Sequence, residues 1–474
     1  MKMRHWLFLI ISAGVVLRIF GLITAPPIDL DGIEYARIAK LFAAGDFASG
    51  MKSMRVPFYP MVTACFQFFV GDIELAGRLT SLFFGLFLIP LSYLFVKRVF
   101  DEERALFAAT VVAIHPYLVR YSVLVLSESL ATFLFTASVF SFYLGWAERK
   151  LPFLASSGIL LTLAYLTRPE YLIYFMPLAC ILIVQDRRHL HAGVFVISFL
   201  WLAVAFLIFV RLDTGFWVID KKMLLWQQQT STAESSLHYL MGVVSPFGAL
   251  TNLPAVVGHF CEAMCIPFFF LACFGFTGTK KPYRMLLLVL VATHIFSRSF
   301  VPHSTERYSV EFVPIVMVLA DEGIRAAGAF FARYRQGKLF TTLFFSAVVL
   351  TAVFMGINAG EPRRELEKKA GLLLQSKGAK VVAARSPRST FYARTDWVDL
   401  EKMAGTSGTC QKLMEGLRFY KVEYIVSDRG MERDTPLMRG CLVGASPIAN
   451  FADHENYVRI YRLESFTHGH DRSR

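Results

Sequence analysis

The chain alternates long apolar runs with short polar segments over most of its 474 residues. Runs of this length cross a lipid bilayer as helices, because only closed hydrogen-bonded structures satisfy the backbone there. Eleven runs are predicted to span, at 6–24, 76–96, 104–122, 127–147, 151–167, 171–185, 191–212, 256–277, 284–300, 307–322 and 339–358. The pattern predicts an α-helical polytopic membrane protein.

The apolar segment Pro57 to Val70 is predicted to be an interfacial or re-entrant helix rather than a further span. It is short, contains Pro57 and Pro60 near its start and has Gln67 in its apolar run. Each feature suits a helix that lies in the membrane surface. Counting this segment as a span would also move every later basic turn to the outer side.

Basic residues cluster in the short turns on one side of the predicted spans. These turns contain Lys97–Arg98, Arg149–Lys150, Arg187–Arg188, Lys280–Lys281 and Arg325 to Lys338. Because Lys and Arg accumulate on the cytoplasmic side, this side and the N-terminus are predicted to be cytoplasmic. No small-residue cleavage site follows Trp6 to Thr24, so the first run is predicted to be a retained span of an inner-membrane protein.

The composition changes after Phe354, where a mixed polar region begins. Helices near 361–375 and 411–419 and strands near 380–384, 423–427 and 457–462 predict a small α/β domain. The sequence thus divides into a membrane domain, 1–358, and an extracytoplasmic domain, 359–474. Cys410 and Cys441 lie in the second domain and would be able to form a disulfide outside the cytoplasm, which the sequence leaves open.

Composition and motifs exclude several functions. Hydrophobic residues make up 55% of the chain, and its net charge of +13 comes from the basic turns, so it reports topology and not nucleic-acid binding. The chain has no P-loop, dinucleotide fingerprint, HExxH or GxSxG motif. The remaining cysteines lie in apolar segments without His or Asp at ligand spacing, which predicts packing rather than a zinc site.

The loop from Ala25 to Arg55 carries the most informative polar residues. Asp29, Asp31 and Glu34 fall beside a short amphipathic helix on the predicted outer surface. Asp31 and Glu34 have the spacing of a helix cap and capping box, which would need no catalysis. Asp31 is also suited to act as a general base, and Asp29 remains available if Asp31 is only a cap.

Other ionisable residues are predicted on the same outer face. They are Arg55, Arg120, Glu128, Arg168, Glu170, Lys221, Lys222, His303, Glu306 and Arg307. Each alone is explained by a lipid headgroup or a local ion pair. Together they favour a site for an anionic headgroup such as a lipid phosphate, for which arginine offers two-point contact.

The order of several motifs resembles the GT-C membrane glycosyltransferases. DGIEYA at 31–36 is followed by RVPFYP at 55–60, GRL at 77–79, SESLA at 127–131, LAYLTRPEY at 163–171 and ERYSVEFVPIV at 306–316. The closest branch is that of the protein O-mannosyltransferases and the bacterial transferases that add aminoarabinose or galacturonic acid to lipopolysaccharide. The resemblance covers roughly residues 6–330, and the outer domain is similar to those of many bacterial members.

The resemblance implies inverting transfer of a sugar from a polyprenyl phosphate carrier to a glycolipid, polysaccharide or protein acceptor at the outer face. Asp31 matches the catalytic general base, and Glu128 matches an acidic position that orients the acceptor or binds a metal. A divalent cation is therefore a possible cofactor, and no other is implied. The phosphate would be bound by cationic residues: Arg55, Arg168, Lys221, His303 and Arg307.

Two positions depart from the family pattern. Arg55-Val56-Pro57 stands where some relatives have Glu-Lys-Pro, so the phosphate-binding lysine is missing and Arg55 is displaced by one residue. Gly32 follows Asp31 in place of a second acid, which leaves Asp29 or Glu34 as the second carboxylate.

Three other functions compete with this sugar transfer. A flippase or transporter of lipid-linked sugars would also use a basic outer cavity, but it needs a midplane site, and ionisable residues are sparse in the span centres. An envelope polysaccharide polymerase or ligase would use similar chemistry on a polymeric acceptor. A non-catalytic scaffold would tolerate replacement of Asp31 by an amide.

Overall fold

The computed structural model describes residues 2–185, 189–221, 246–276, 280–301, 305–331, 362–442, 445–453 and 455–466, with isolated positions between 333 and 346. The chain forms two compact units. The membrane unit comprises Met1–Ile23 and Tyr35–Ile357, and the α/β unit comprises Thr24–Glu34 and Asn358–Arg474. The acidic loop after the first helix therefore groups with the C-terminal region, although the sequence division at 358 assigned it to the membrane domain.

Helices occupy most of the first 331 residues. They are α1 (Lys2–Ile23), α2 (Leu30–Ala43), α3 (Phe47–Lys52), α4 (Phe58–Val70), α5 (Ile73–Val99), α6 (Glu102–Ile114), α7 (Pro116–Tyr121), α8 (Glu128–Ala147), α9 (Leu151–Thr167), α10 (Phe175–Cys180), α11 (His189–Thr214), α12 (Pro246–Ala263), α13 (Ile266–Gly275), α14 (Lys281–Ser299), α15 (Val313–Val316) and α16 (Val318–Phe331). Shorter 3₁₀ turns cover Pro169–Tyr174, Glu306–Tyr308 and Val310–Phe312, and a π turn covers Ile181–Gln185. The predicted helical membrane architecture is confirmed.

Within the described ranges, fewer helices can cross a bilayer alone than the eleven predicted runs. Four are long and apolar enough, namely α1, α5, α8 and α11, and a fifth counts if α12 and α13, bent by 95°, form one span. The run at 307–322 is broken into 3₁₀ turns and short helices, and the run at 339–358 lies largely outside the described residues. Helix α4, at 13 residues, is too short to span, as predicted, and its interfacial placement stays a prediction.

The break between α6 and α7 has a clear physical cause. Pro116 has no N–H to donate to the carbonyl of Val112, so the helical ladder stops there. The buried guanidinium of Arg18, on α1, donates to the carbonyls of Val112 at 3.1 Å and Ala113 at 2.8 Å. The two terminal nitrogens of an arginine inside an apolar span are therefore satisfied by backbone oxygens near a helix break, whereas its Nε atom is buried without a hydrogen-bond partner among the described residues.

The described part of the α/β unit contains a five-stranded sheet in the order β2-β1-β3-β5-β4. The strands are β1 (Val381–Ala384), β2 (Asp396–Asp399), β3 (Tyr424–Asp428), β4 (Ala449–Ala452) and β5 (Tyr457–Arg462). Strand β1 runs parallel to β2 and β3, whereas β5 runs antiparallel to β3 and β4. Helices α17 (Pro362–Ser376), α18 (Pro387–Ala393), α19 (Leu400–Ser407), α20 (Cys410–Phe419), α21 (Arg429–Asp434) and α22 (Pro436–Leu442) complete it.

Two apolar clusters cover the two faces of this sheet, as alternation along the strands requires. Ala383 and Ile425 face a cluster with α19 and α20, whereas Val382 and Val426 face a cluster with α17. The predicted α/β fold of this region is confirmed.

A disulfide and a pair of hydrogen bonds link distant parts of the α/β unit. Cys410 and Cys441 form a disulfide with their Cα atoms 5.5 Å apart, which answers the question that the sequence left open. The segment Thr24–Glu34 is bound through Ile28, whose N–H donates to the Tyr392 hydroxyl at 3.0 Å and whose carbonyl accepts from Arg388 Nε at 2.7 Å. The acidic loop is thus held by backbone contacts to α18.

Candidate active site

Helix α2 starts inside the acidic loop, at Leu30. With Asp31 as the N-cap it would start two residues later. The backbone carbonyl of Asp29 accepts the first helical hydrogen bond, from Ile33 at 2.9 Å. The Asp29 carboxylate also accepts from the N–H of Leu30 at 2.6 Å. Asp29 therefore occupies the cap position, and the interpretation of Asp31 and Glu34 as a capping box is wrong.

The three carboxylates of the loop, Asp29, Asp31 and Glu34, have different positions relative to the start of α2. Asp29 is ion-paired with Arg364 of α17 at 3.2 Å, inside the α/β unit. Asp31 and Glu34 lie in the first two turns of α2, three residues apart and half-buried. Residues at this spacing share one face of a helix. The Asp29 carboxylate therefore contacts the first N–H of α2 and pairs with Arg364, whereas Asp31 and Glu34 lie on one face of the same helix.

A buried ion cluster lies in the membrane unit around Glu128, the first residue of α8. Glu128 is 3% exposed, and its Oε1 atom forms an ion pair with Arg168 Nη1 at 2.6 Å and accepts a hydrogen bond from Arg307 Nε. The structure thus brings together three residues predicted for the site from distant parts of the chain. Within the described part of the chain, Glu128 Oε2 is buried without a hydrogen-bond partner. Such an atom is costly to leave unsatisfied, which is typical of a ligand site.

The cluster extends to Glu170 and Arg298. Glu170 Oε1 accepts from Arg168 Nε at 2.7 Å and lies 3.4 Å from Arg298 Nη2. Burial alone would raise the pKa of Glu170, but the positive charges of Arg168 and Arg298 outweigh it and lower the pKa to about 2. Both guanidiniums also lie against the ring of Tyr308, 5.2 Å and 4.1 Å from its centre. Five charged side chains therefore hold one another in place.

Arg298 and Tyr308 also belong to this cluster, although neither was predicted from the sequence. Arg298 lies in the last turn of α14 and is 7% exposed. In the sequence it is only the basic end of an apolar run. A signal was present, since an arginine at the predicted outer end of an apolar run departs from the positive-inside pattern.

Arg55 lies beside α2 within the membrane unit. Its guanidinium is 5.3 Å from the ring centre of Tyr35, whose hydroxyl lies 3.2 Å from Ser127 Oγ. Ser127 directly precedes Glu128. Tyr35 also packs edge-to-face on Tyr59 at 5.0 Å. Arg55 is therefore connected, through Tyr35 and Ser127, to the start of α8.

Of the predicted phosphate-binding residues, Lys221 does not join the Glu128 cluster in the described structure. Lys221 is 4% exposed, and its Nζ atom donates to Asp213 Oδ2 at 2.6 Å and to the carbonyl of Met51 at 2.9 Å. It therefore serves a separate buried ion pair. His303 lies outside the described residues, as does most of the loop 213–255.

The membrane unit also contains an apolar cavity of about 280 Å³. It is lined by Phe260, Phe269, Ala272, Cys273, Phe276, Leu287, Leu288, Val291, Val316 and Leu319. One of these, Phe260, packs against His294 and Phe312 in the core of the unit. A cavity of this composition accepts hydrocarbon and excludes ions.

Comparison with known proteins identifies the fold. Residues 55–212 match the family described as dolichyl-phosphate-mannose-protein mannosyltransferase. A search of curated proteins gives no significant match. Among solved structures, the chain is similar to ArnT from Cupriavidus metallidurans in the apo state, with 13% identity over 98% of this chain and 99% of that chain and a TM-score of 0.60.

Two further structures are similar. ArnT from the same organism bound to undecaprenyl phosphate gives 15% identity over 96% of this chain and 98% of that chain, with a TM-score of 0.58. The archaeal oligosaccharyltransferase AglB from Archaeoglobus fulgidus, in complex with an inhibitory peptide and a dolichol-phosphate, gives 14% identity over 90% and 70%, with a TM-score of 0.56. The chain therefore has the GT-C fold, and its predicted resemblance to GT-C membrane glycosyltransferases is confirmed.

Proposed function

We propose that this chain is a membrane glycosyltransferase that transfers a sugar from a polyprenyl phosphate carrier to an acceptor at the outer face of the cytoplasmic membrane. The family match and the fold support the reaction class. The observation that carries the proposal is the convergence of Arg168 and Arg307 on a buried glutamate with one unpartnered oxygen. Cations fixed at the predicted outer face are what a lipid phosphate needs.

In this proposal the arginines bind the phosphate of the donor. Arg307 and Arg168 are oriented by Glu128, and Arg298 is oriented by Glu170 and Tyr308. Preoriented guanidiniums stabilise the charge that develops on the departing phosphate without reorganising during the reaction. The relatives whose structures contain dolichol-phosphate or undecaprenyl phosphate have the same fold, which supports this donor class. The apolar cavity offers space for part of a hydrocarbon chain.

Asp31 acts as the general base. It removes the proton of the acceptor hydroxyl as that oxygen attacks the anomeric carbon, and the bond from this carbon to the phosphate oxygen breaks. Attack on the face opposite the leaving group inverts the anomeric configuration and releases the polyprenyl phosphate. Glu34, on the next turn of the same helix, is the candidate second carboxylate.

Glu128 orients the acceptor or holds a divalent cation through its Oε2 atom. The cluster leaves this oxygen unpartnered among the described residues, while Oε1 is ion-paired with two arginines. Carboxylate oxygens are ligands for hard divalent cations and acceptors for sugar hydroxyls, so both roles fit the same atom.

The acceptor is a glycolipid, a polysaccharide or a protein, and the α/β unit with the loop 213–255 selects it. We place this unit outside the cytoplasm and the N-terminus inside. Support comes from the basic turns and from the disulfide between Cys410 and Cys441, since disulfides persist in oxidising compartments.

The test is sugar transfer by the purified full chain in nanodiscs, supplied with radiolabelled sugars on polyprenyl phosphate. Wild type is compared with Asp31→Asn and with Asp29→Asn as the matched control, since both changes replace a carboxylate of the same loop. We expect Asp31→Asn to abolish transfer and donor hydrolysis and Asp29→Asn to retain both. Equal loss in the two variants would contradict the assignment of the base.

A further inference from the structure

A histidine and two glutamates come together in the membrane unit outside the Glu128 cluster. His259 and Glu262 lie one turn apart on α12, with Nδ1 and Oε2 separated by 3.5 Å. Glu306 belongs to the 3₁₀ turn Glu306–Tyr308. One ligand atom from each residue lies within 4.8 Å of the other two. The three come from two segments that are more than 40 residues apart in the sequence.

A fourth side chain fixes the orientation of this group. The hydroxyl of Tyr117, on α7, donates to Glu262 Oε1 at 3.1 Å. The other oxygen of Glu262, Oε2, faces His259. Carboxylates that ligate metals are commonly oriented in this way by a donor that does not itself touch the ion.

We propose that His259, Glu262 and Glu306 bind a divalent transition metal ion, with Zn²⁺ as the best fit. One imidazole nitrogen and two carboxylates are ligands that zinc accepts, and three protein ligands leave a fourth position for water or a substrate oxygen. Two carboxylates also balance the double charge of the ion. Zinc bonds of about 2.0–2.2 Å place tetrahedral ligand atoms about 3.3–3.6 Å apart, so side-chain rotations that close the group by about 1 Å complete the site.

The metal would position a residue of the proposed phosphate site. Glu306 directly precedes Arg307, which donates to Glu128. An ion that ties Glu306 to α12 therefore fixes the turn that carries Arg307. This role depends on the proposed function, whereas metal binding does not, so the two are tested by different measurements.

The binding test uses the purified full chain in nanodiscs, stripped with a chelator, dialysed against Zn²⁺ and analysed for bound metal by mass spectrometry. We expect about one ion per chain in wild type and a loss of at least tenfold in affinity in His259→Ala and Glu306→Gln. His191→Ala, on α11, is the matched control and should retain the ion. Tyr117→Phe should weaken binding less than loss of a ligand does.

A second variant protects the test against simple misfolding. His259→Cys keeps a ligand and should still bind Co²⁺, with a sulfur-to-metal charge-transfer band that wild type lacks. Absence of that band, or equal metal content in wild type and Glu306→Gln, would show that His259 and Glu262 form only a helix ion pair and would overturn the proposal. If zinc binds as expected but sugar transfer is absent, the metal site stands and the proposed function fails.

Discussion

Replacing Glu128 by glutamine isolates the charge at the centre of the buried cluster. The amide keeps the size of the side chain and one oxygen that accepts hydrogen bonds, but it removes the negative charge that orients Arg168 and Arg307. Arg168 retains Glu170 as an ionic partner at 2.7 Å, so the cluster is weakened rather than abolished. The change therefore perturbs the orientation of the arginines more than the packing around them.

The magnitude follows from the two charged contacts that become neutral. Hydrogen bonds to charged groups contribute about 1.5–3 kcal/mol each; Glu128 accepts one from Arg307 and forms an ion contact of similar strength with Arg168. A loss of about 1.5 kcal/mol per contact, or about 3 kcal/mol of transition-state stabilisation in all, lowers kcat about 100-fold. Loss of one fixed donor at a developing negative charge has a similar effect, of about 100-fold to 1000-fold.

The assay measures kcat and KM for sugar transfer in nanodiscs, with the melting temperature followed in parallel. Glu74→Gln is the matched control, because Glu74 forms an ion pair with Arg78 at 2.6 Å on α5, outside the cluster. We expect the control to keep wild-type transfer and Glu128→Asp, which keeps the charge, to recover part of the activity. A kcat within threefold of wild type in Glu128→Gln would refute the role assigned to the cluster.

Three further predictions concern stability. Removing the disulfide by Cys410→Ser and Cys441→Ser should lower the unfolding free energy of the α/β unit by about 3–4 kcal/mol, which is the loop-closure entropy for a sequence separation of 31 residues. Denaturant unfolding of the full chain, with a fluorophore attached to the α/β unit, measures this loss. Gly275→Ala should lower the melting temperature by several degrees, because the new Cβ would clash with the carbonyl oxygen of Leu319, whereas Gly328→Ala, with open space around it, should not. The pKa of Glu170 is lowered in the folded state, so the stabilisation that this carboxylate provides is fully present above its unfolded pKa of about 4.3 and is lost as the pH falls towards 2. The difference in unfolding free energy between wild type and Glu170→Gln should therefore be constant from about pH 5.5 to 8 and should shrink below pH 4.

The elements that the sequence predicted well are those whose pattern is local. Long apolar runs gave α1, α5, α8 and α11, and short β-branched runs gave strands β1, β3 and β5 within one residue of their ends. The two missed strands are the sheet edges, β2 with the sequence DWVD and β4 with ANFA, whose residues are half-buried or exposed. An edge strand forms because the adjacent strand provides its hydrogen-bond partners, so no apolar run in the sequence needs to indicate it.

The candidate site was predicted in part because its members are charged residues in an apolar chain. Glu128, Arg168 and Arg307 were each recognisable, but their convergence on one carboxylate depends on packing among α8, the turn after α9 and the turn before α15. The helix start at Leu30 also escaped prediction, because Asp29 and Asp31 are equally good caps by residue type. The contacts of the loop with α18, which is more than 350 residues away in sequence, could not be predicted because no local sequence pattern indicates them.

In the proposed reaction this chain breaks the bond between a sugar and polyprenyl phosphate. The most direct measurement is mass spectrometry of the lipid products after the purified wild-type chain is incubated with a panel of polyprenyl phosphate sugars and an envelope extract. We expect release of free polyprenyl phosphate and a product of inverted anomeric configuration, both lost in Asp31→Asn. Intact donors throughout the panel, together with movement of labelled donor across vesicles that contain the chain, would contradict the proposed reaction and identify a transporter.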